Sequence, residues 1–188
     1  MEQIRTYFET LTGIKDQDWD AFISRLSRVE FPKKSLILKT GQVENYLSFI
    51  EKGIVRYYIP GDENDLTFVF GFENSFISAY DSFLTRTPST YHIESLADTV
   101  LWRLTYSDLQ DIYAQTEIGN TVGRYASEEL YLRKSKRELS LLHHTAEERY
   151  LNLLKEQPHL IQNIPLKYIA SYIGITPQAL SRIRQRIS

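Results

Sequence analysis

The chain has 188 residues, is 42% hydrophobic and carries a formal charge of −2, the profile of a globular protein long enough to bury a core as one large domain or two small ones. It holds no cysteine, which excludes disulfides, thiolate-bound zinc, cysteine-ligated iron–sulfur clusters and thiol redox switches. No apolar run reaches the roughly 18 residues of a membrane helix, and the opening MEQIRTYFETLTGIKD is charged throughout, so no membrane association is expected and a cytoplasmic location is the default.

In chain order, the first 30 residues read as two helices. Ile4, Tyr7, Phe8 and Leu11 share one face, Trp19, Phe22, Ile23 and Leu26 another; Thr12-Gly13 divides them and EFPKK ends the second. From Ser35 to about Leu104 short apolar runs alternate with turns. SLILK, YLSFI, IVRYYI, LTFVFGF, YHIESL and VLWRL, rich in Ile, Val, Phe and Tyr, read as strands of an all-β sandwich or barrel. Helical texture returns at TYSDLQDIYAQ, where Ser107 is a candidate cap, and residues 117–144 contain no proline and read as one long helix. Along it Ile118, Val122, Tyr125, Leu132 and Leu139 recur at spacings of three and four, with Glu129 and Lys136 in the seam. Such a stripe suits a dimeric coiled coil; the alternative is a helix packed on its own domain. TAEERYLNLLKEQPHL then predicts a helix with a capping box, Thr145 with Glu148, stopped by Pro158.

Charge is unevenly distributed. Residues 1–110 hold 11 basic and 16 acidic side chains, residues 111–188 hold 11 and 8, and the last 26 residues hold four basic and no acidic ones. That asymmetry suggests an anionic partner for the C-terminal end, although a basic helix end complementing its own dipole has the same composition. The four histidines, His92, His143, His144 and His159, lack metal-ligand spacing, since adjacent helical residues point about 100° apart. No metal site and no cofactor are expected.

The tail IPLKYIASYIGITPQALSRIRQRIS reads as two short helices about a turn. Pro165 opens the first, with Ile169, Ala170 and Ile173 inward, and Gly174 supplies a left-handed turn. Thr176 caps the second and Pro177 fits its first position. With Leu180, Ile183 and Ile187 inward, Gln178, Ser181, Arg182 and Gln185 gather on the outer face: amides suited to adenine, a guanidinium suited to guanine, and a hydroxyl. Thr176, Arg184, Arg186, Lys167 and the RKSKR cluster of the long helix surround that face as candidate DNA contacts. An ordinary amphipathic hairpin is the alternative.

The order of β-rich domain, long helix and helix-turn-helix, with YIASYIGITPQALSRIRQRI and the glycine-punctuated LKTGQVENYLSFIEKGIVRYYI, resembles the Crp/Fnr family of bacterial transcription regulators over nearly the whole chain. The resemblance implies an α+β protein: a jelly-roll sensor of the cyclic-nucleotide-binding type over residues 1–110, a dimerisation helix over 111–144, and a helix-turn-helix DNA-binding domain over 145–188. It places the recognition positions on Gln178, Ser181 and Arg182. Its implied partners are double-stranded DNA and a second copy of the chain, with an unidentified small-molecule effector and RNA polymerase as further candidates.

The sequence departs from that family in two places. Members that bind cyclic AMP hold the ribose with the glutamate of a Gly-Glu pair and the phosphate with the arginine of an Arg-Ser or Arg-Thr pair; here Ser78-Ala79 and Ser89-Thr90 stand in those places. Arg86 is the candidate substitute. A buried phosphate without a cation costs several kcal/mol, so binding of cyclic AMP in the family's manner is not expected. Nearby Phe70, Phe72, Phe76, Tyr80, Phe83 and Tyr91 could line another pocket or simply pack. His92 is a lone candidate haem ligand. The sequence given also stops after the second tail helix, without the family's β-hairpin wing. No Ser-His-Asp or metal constellation supports an enzyme, and no catalytic residue is assigned. The function expected is a dimeric DNA-binding regulator; the alternative is a ligand-binding module that signals through protein contacts.

Overall fold

The computed structural model describes residues 1–11 and 13–187; the side chains of Leu11, Glu117, Ile118 and Val122 lie outside the described residues. The fold is α+β, and the chain divides into two compact units, residues 1–57 with 70–128 and residues 58–69 with 129–188.

The first unit opens with helices α1 (Glu2–Leu11) and α2 (Asp16–Ile23), followed by the strands of the roll. These are β1 (Ser27–Phe31), β2 (Leu36–Leu38), β3 (Tyr46–Lys52), β4 (Ile54–Ile59), β5 (Leu66–Phe72), β6 (Phe76–Ile77), β7 (His92–Ser95) and β8 (Thr99–Thr105), with the short helix α3 (Tyr80–Thr85) between β6 and β7. They form two four-stranded sheets, ordered β1-β8-β3-β6 and β2-β7-β4-β5. Strand β8 runs antiparallel between β1 and β3, with Ser27 opposite Arg103 and Tyr46 opposite Thr105.

Period-2 alternation sorts the side chains. Ile50 and Leu101 of one sheet and Val55 and Ile93 of the other are buried between the sheets. On the opposite face of the first sheet, Phe49 and Leu104 join Ile4, Phe8, Trp19, Phe22, Phe83, Leu109 and Ile112 in a helix-covered core. Rings meet there edge to face, Phe8 on Phe22 at 4.8 Å and Phe49 on Phe76 at 5.1 Å between centroids, a geometry the ring quadrupoles favour. Gly53, at φ 109°, turns β3 into β4; a Cβ there would meet the Thr99 Oγ1 at 2.5 Å.

Three expectations are corrected. The helical reading of residues 1–30 runs too far: α2 ends at Ile23, and Ser27–Phe31 is a strand paired with β8, its Val29 and Phe31 alternating with Arg28 and Glu30. The cap of α4 (Tyr106–Gln115) is Thr105, whose hydroxyl accepts the Asp108 N–H at 3.1 Å, while Ser107 lies inside the helix. Pro158 begins a further short helix rather than only ending one.

The second unit contains the tip of the β4–β5 hairpin, the later part of α5 (Glu117–His143), and α6 (Ala146–Glu156), α7 (Pro158–Asn163), α8 (Leu166–Ile173) and α9 (Pro177–Ile187). The capping box opens α6: the Glu148 N–H donates to the Thr145 Oγ1 at 3.2 Å and the Thr145 N–H to the Glu148 carboxylate at 2.7 Å. Tyr150, Leu153, Leu160, Ile164, Ile169, Ala170, Ile173, Leu180 and Ile183 are its buried apolar residues.

Candidate functional site

Helices α8 and α9 meet through a Schellman turn. Gly174 adopts φ 81° and ψ 34°, its N–H donates to the Ser171 carbonyl at 3.1 Å, and the Ile175 N–H reaches the Ala170 carbonyl at 3.0 Å. Both bonds satisfy carbonyls that the end of α8 leaves unpaired. Two guanidiniums secure the same end: Arg149 donates to the Ile173 carbonyl at 2.9 Å, and Arg137 donates to the Tyr172 carbonyl while stacking 3.7 Å from its ring. Burial pushes the Arg137 pKa down, so these contacts hold a partly desolvated cation in place. Thr176 caps α9, its hydroxyl accepting the Ala179 N–H at 3.2 Å, and Pro177 takes the first helical position.

That turn fixes which way α9 faces. Leu180 and Ile183 are buried, whereas Ile187 is 37% exposed, a correction to its inward placement: the apolar stripe ends one turn before the helix does. Gln178, Ser181, Arg182 and Gln185 are exposed together on the outer side, as are Thr176, Arg184, Arg186 and Lys167. Arg186 pairs with Glu147 at 2.5 Å across an exposed gap, and the Lys167 ammonium lies 4.8 Å from the Tyr168 ring centroid. Within RKSKR, Arg137 is held by Tyr172 and Lys136 pairs with Glu156 at 2.7 Å; Arg133 and Lys134 are exposed.

On α5, Tyr125 is 37% exposed, Leu132 66% and Leu139 51%. The side chains of Ile118 and Val122 lie outside the described residues. Tyr131 and Leu142 are also exposed; Leu142 continues the stripe three residues past Leu139, which the sequence spacing alone allows one to find.

Around Ser78-Ala79 and Ser89-Thr90, the side chains of Ser78, Ser89 and Arg86 bond within the domain itself. Ala79 is buried as the N-cap residue of α3, and its N–H lies 3.4 Å from the carboxylate of buried Glu44, which also accepts the Tyr46 N–H at 3.0 Å. Burial raises the Glu44 pKa, and those two N–H groups and nearby Arg103 oppose the rise. Ser78 donates to the Tyr46 carbonyl at 2.9 Å. Ser89 is buried, its backbone exchanging bonds with Gly41 and Gln42, and Thr90 is exposed. Arg86, left-handed at φ 57°, donates to the Glu44 carbonyl at 2.7 Å and the Asn45 side chain at 2.5 Å, and its guanidinium lies 4.5 Å from the Tyr106 ring centroid. Tyr91 donates its hydroxyl to the carboxylate of Asp81 of α3.

Sequence reasoning missed the buried ion pair of the second sheet. Arg56 of β4 donates to the Glu94 Oε2 of β7 at 2.8 and 3.1 Å, with side-chain exposures of 4% and 14%. Only the strand pairing makes them neighbours. Of the aromatic set near the cassette, Phe76, Tyr80 and Phe83 pack against the helix-covered core. Among the described residues no group of three or more His, Asp or Glu could hold a metal, and no helix is long and apolar enough to cross a membrane.

Residues 28–116 match the cyclic nucleotide-binding domain family. FixK2 from Bradyrhizobium japonicum is similar at 16% identity and a TM-score of 0.75, over 86% of this chain and 84% of that one. A Crp/Fnr-family transcriptional regulator from Eubacterium rectale is similar at 16% identity and a TM-score of 0.74, over 96% and 87%. A CooA mutant from Carboxydothermus hydrogenoformans is similar at 15% and 0.73, over 95% and 82%. No curated protein matches the chain. Residues 28–116 thus form a domain of the cyclic nucleotide-binding type, and the chain as a whole has the fold of the Crp/Fnr regulators.

Proposed function

We propose that the protein is a DNA-binding transcription regulator that acts as a homodimer. The roll of residues 1–110 is its sensor domain, residues 111–144 its dimerisation helix and residues 145–188 its DNA-binding domain. The observation that carries the reading is the outer face of α9, where Gln178, Ser181, Arg182 and Gln185 are exposed together opposite buried Leu180 and Ile183. That face offers bidentate partners for adenine and guanine edges, and Arg184, Arg186 and Lys167 supply cations for phosphates. In a symmetric dimer two such helices read half-sites one turn of DNA apart, about 34 Å. Exposed Leu132, Leu139 and Tyr125 on α5 support the seam, with Ile118 and Val122 continuing it by their spacing; Leu132→Glu with Leu139→Glu should give monomer in sedimentation.

The sensor domain takes no cyclic nucleotide through the family's two charged groups, because neither Ser78-Ala79 nor Ser89-Thr90 supplies one and Arg86 is bound to Glu44 and Asn45. An effector of other chemistry and RNA polymerase remain the candidate further partners. Selection from a random duplex library tests the reading. The expected outcome is a two-fold symmetric motif whose affinity falls steeply with salt through counterion release; recovery of no motif overturns it in favour of signalling through protein contacts. Calorimetry with cyclic AMP should show no one-per-subunit binding at micromolar concentrations.

A further inference from the structure

Resting on the DNA-binding reading, we propose that Ser171 is a positioning residue for the recognition helix, its hydroxyl latching α8 to the tip of the β4–β5 hairpin. The hydroxyl both donates to the Asp65 carbonyl at 2.6 Å and accepts the Thr67 N–H at 2.8 Å. Strand β5 is the edge of its sheet, where backbone groups can bond with elements outside the sheet. One serine therefore satisfies a donor and an acceptor two residues apart, as a neighbouring strand would. Thr67 is fully buried, where an unpaired amide is costly.

The direction of the side chain is informative. A serine inside a helix commonly returns its hydroxyl to its own i−4 carbonyl, which here is that of Lys167. Ser171 instead spends both hydrogen-bonding capacities on the hairpin. It is also the residue whose carbonyl accepts the Gly174 N–H in the turn that aims α9. Hairpin tip, helix end and recognition turn thus converge on one residue. Residues 58–69 accordingly belong to the same compact unit as residues 129–188, although β4 and β5 run on as strands of the roll's sheet. In this arrangement Gln178, Ser181, Arg182 and Gln185 are exposed.

The test uses the full chain and a duplex selected with the wild-type protein. Ser171→Ala should lower the hydrogen-exchange protection of the Thr67 amide and weaken duplex binding, each about tenfold, the scale expected for losing one or two hydrogen bonds. The base preference that depends on Arg182 and the dimer should both be retained. Ser171→Thr, which keeps a hydroxyl, should restore most of both losses, which a purely structural role for a small side chain would not predict. Unchanged Thr67 protection in Ser171→Ala overturns the latch. Lost protection with unchanged affinity overturns the positioning role, as does Ser171→Thr binding as weakly as Ser171→Ala at an equal melting temperature. If the wild-type protein selects no duplex, the DNA-binding reading itself fails, whereas Thr67 protection still reports the latch.

Discussion

Arg182 on α9 and Arg86 after α3 are both exposed, yet the two regions use the same guanidinium in opposite ways. Arg86 is drawn into its own domain by the Glu44 carbonyl, the Asn45 side chain and the Tyr106 ring. Among the described residues no hydrogen bond or ion pair ties Arg182, which stands beside Gln178 and Ser181 on a helix that has no acidic residue of its own. An arginine's fork is available to a ligand only where the fold does not occupy it first. The roll has drawn Arg86 inward to hold a loop, and α9 leaves Arg182 outward.

The contrast is sharpest for the cation buried most completely, and there the largest effect is expected. Arg56→Ala leaves Glu94 with its partner gone in a site where both side chains are largely buried, and such a loss costs about 3–5 kcal/mol. Chemical denaturation should show it as a lowered midpoint. Replacing both residues together, Arg56→Met with Glu94→Leu, should recover most of the loss, because two well-packed apolar side chains remove the uncompensated charge. A double variant as unstable as the single one would mean that Arg56 contributes through other contacts.

A smaller effect belongs to Arg182. Arg182→Ala should cost about 1–3 kcal/mol in binding to the selected duplex and relax the preference at one base pair per half-site, with thermal stability unchanged. Arg186→Ala offers the internal control, since a phosphate contact weakens all sequences alike and flattens the salt slope. Arg186 already pairs with Glu147, so part of its loss should appear as stability. Unchanged base preference in Arg182→Ala would remove the difference between the two regions.

Much of the C-terminal half was legible because its signals are local. Gly174, Thr176-Pro177 and the three-residue spacing of Leu180 and Ile183 each act within one or two turns of helix, and each does in the structure what its chemistry implies. Ile187 was misplaced because periodicity cannot tell where the neighbouring surface ends. The β-rich half was legible as strands from β2 onward, whereas β1 read as helix, and the polar interior of this half was not legible. Arg56 and Glu94 are 38 residues apart, Glu44 and Ala79 are 35 apart, and no spacing rule joins them before the sheets are assembled. The two-residue strand β6 and the six-residue helix α3 are too short for periodicity to register. Ser171 was invisible for the same reason: its partners lie more than 100 residues away.

Arg86 tests the comparison more gently. If its contacts serve only the loop, Arg86→Ala should cost about 1 kcal/mol of stability, the net scale of a hydrogen bond near the surface, and should not alter the response to cyclic AMP. Arg86→Gly should recover part of that loss, because glycine adopts the left-handed backbone of this position, φ 57°, without steric cost. A gain of nucleotide affinity in neither variant, with glycine the more stable, places Arg86 as a structural cap.

The smallest effect is a slope rather than a midpoint, and it comes from Glu44. Burial raises its pKa above the ordinary carboxylate value, against the opposing pull of the Tyr46 and Ala79 N–H groups and of Arg103. A folded pKa above the unfolded one means that the folded state binds the proton more tightly. The resulting stabilisation is complete below the unfolded value, about 4.3, and is lost as pH rises through the raised folded value. Glu44→Gln removes this titration. The Tyr46 and Ala79 N–H groups meet different carboxylate oxygens, and in glutamine one of these is an amide nitrogen that cannot accept, so the variant should be less stable by an offset that does not change with pH. Unfolding free energies measured from pH 4 upward should therefore show the wild-type advantage over Glu44→Gln shrinking as pH rises, then levelling off once the carboxyl has ionised. An advantage that grows with pH would mean that the N–H groups and Arg103 outweigh burial, and that the loop holds Glu44 as a charged acceptor.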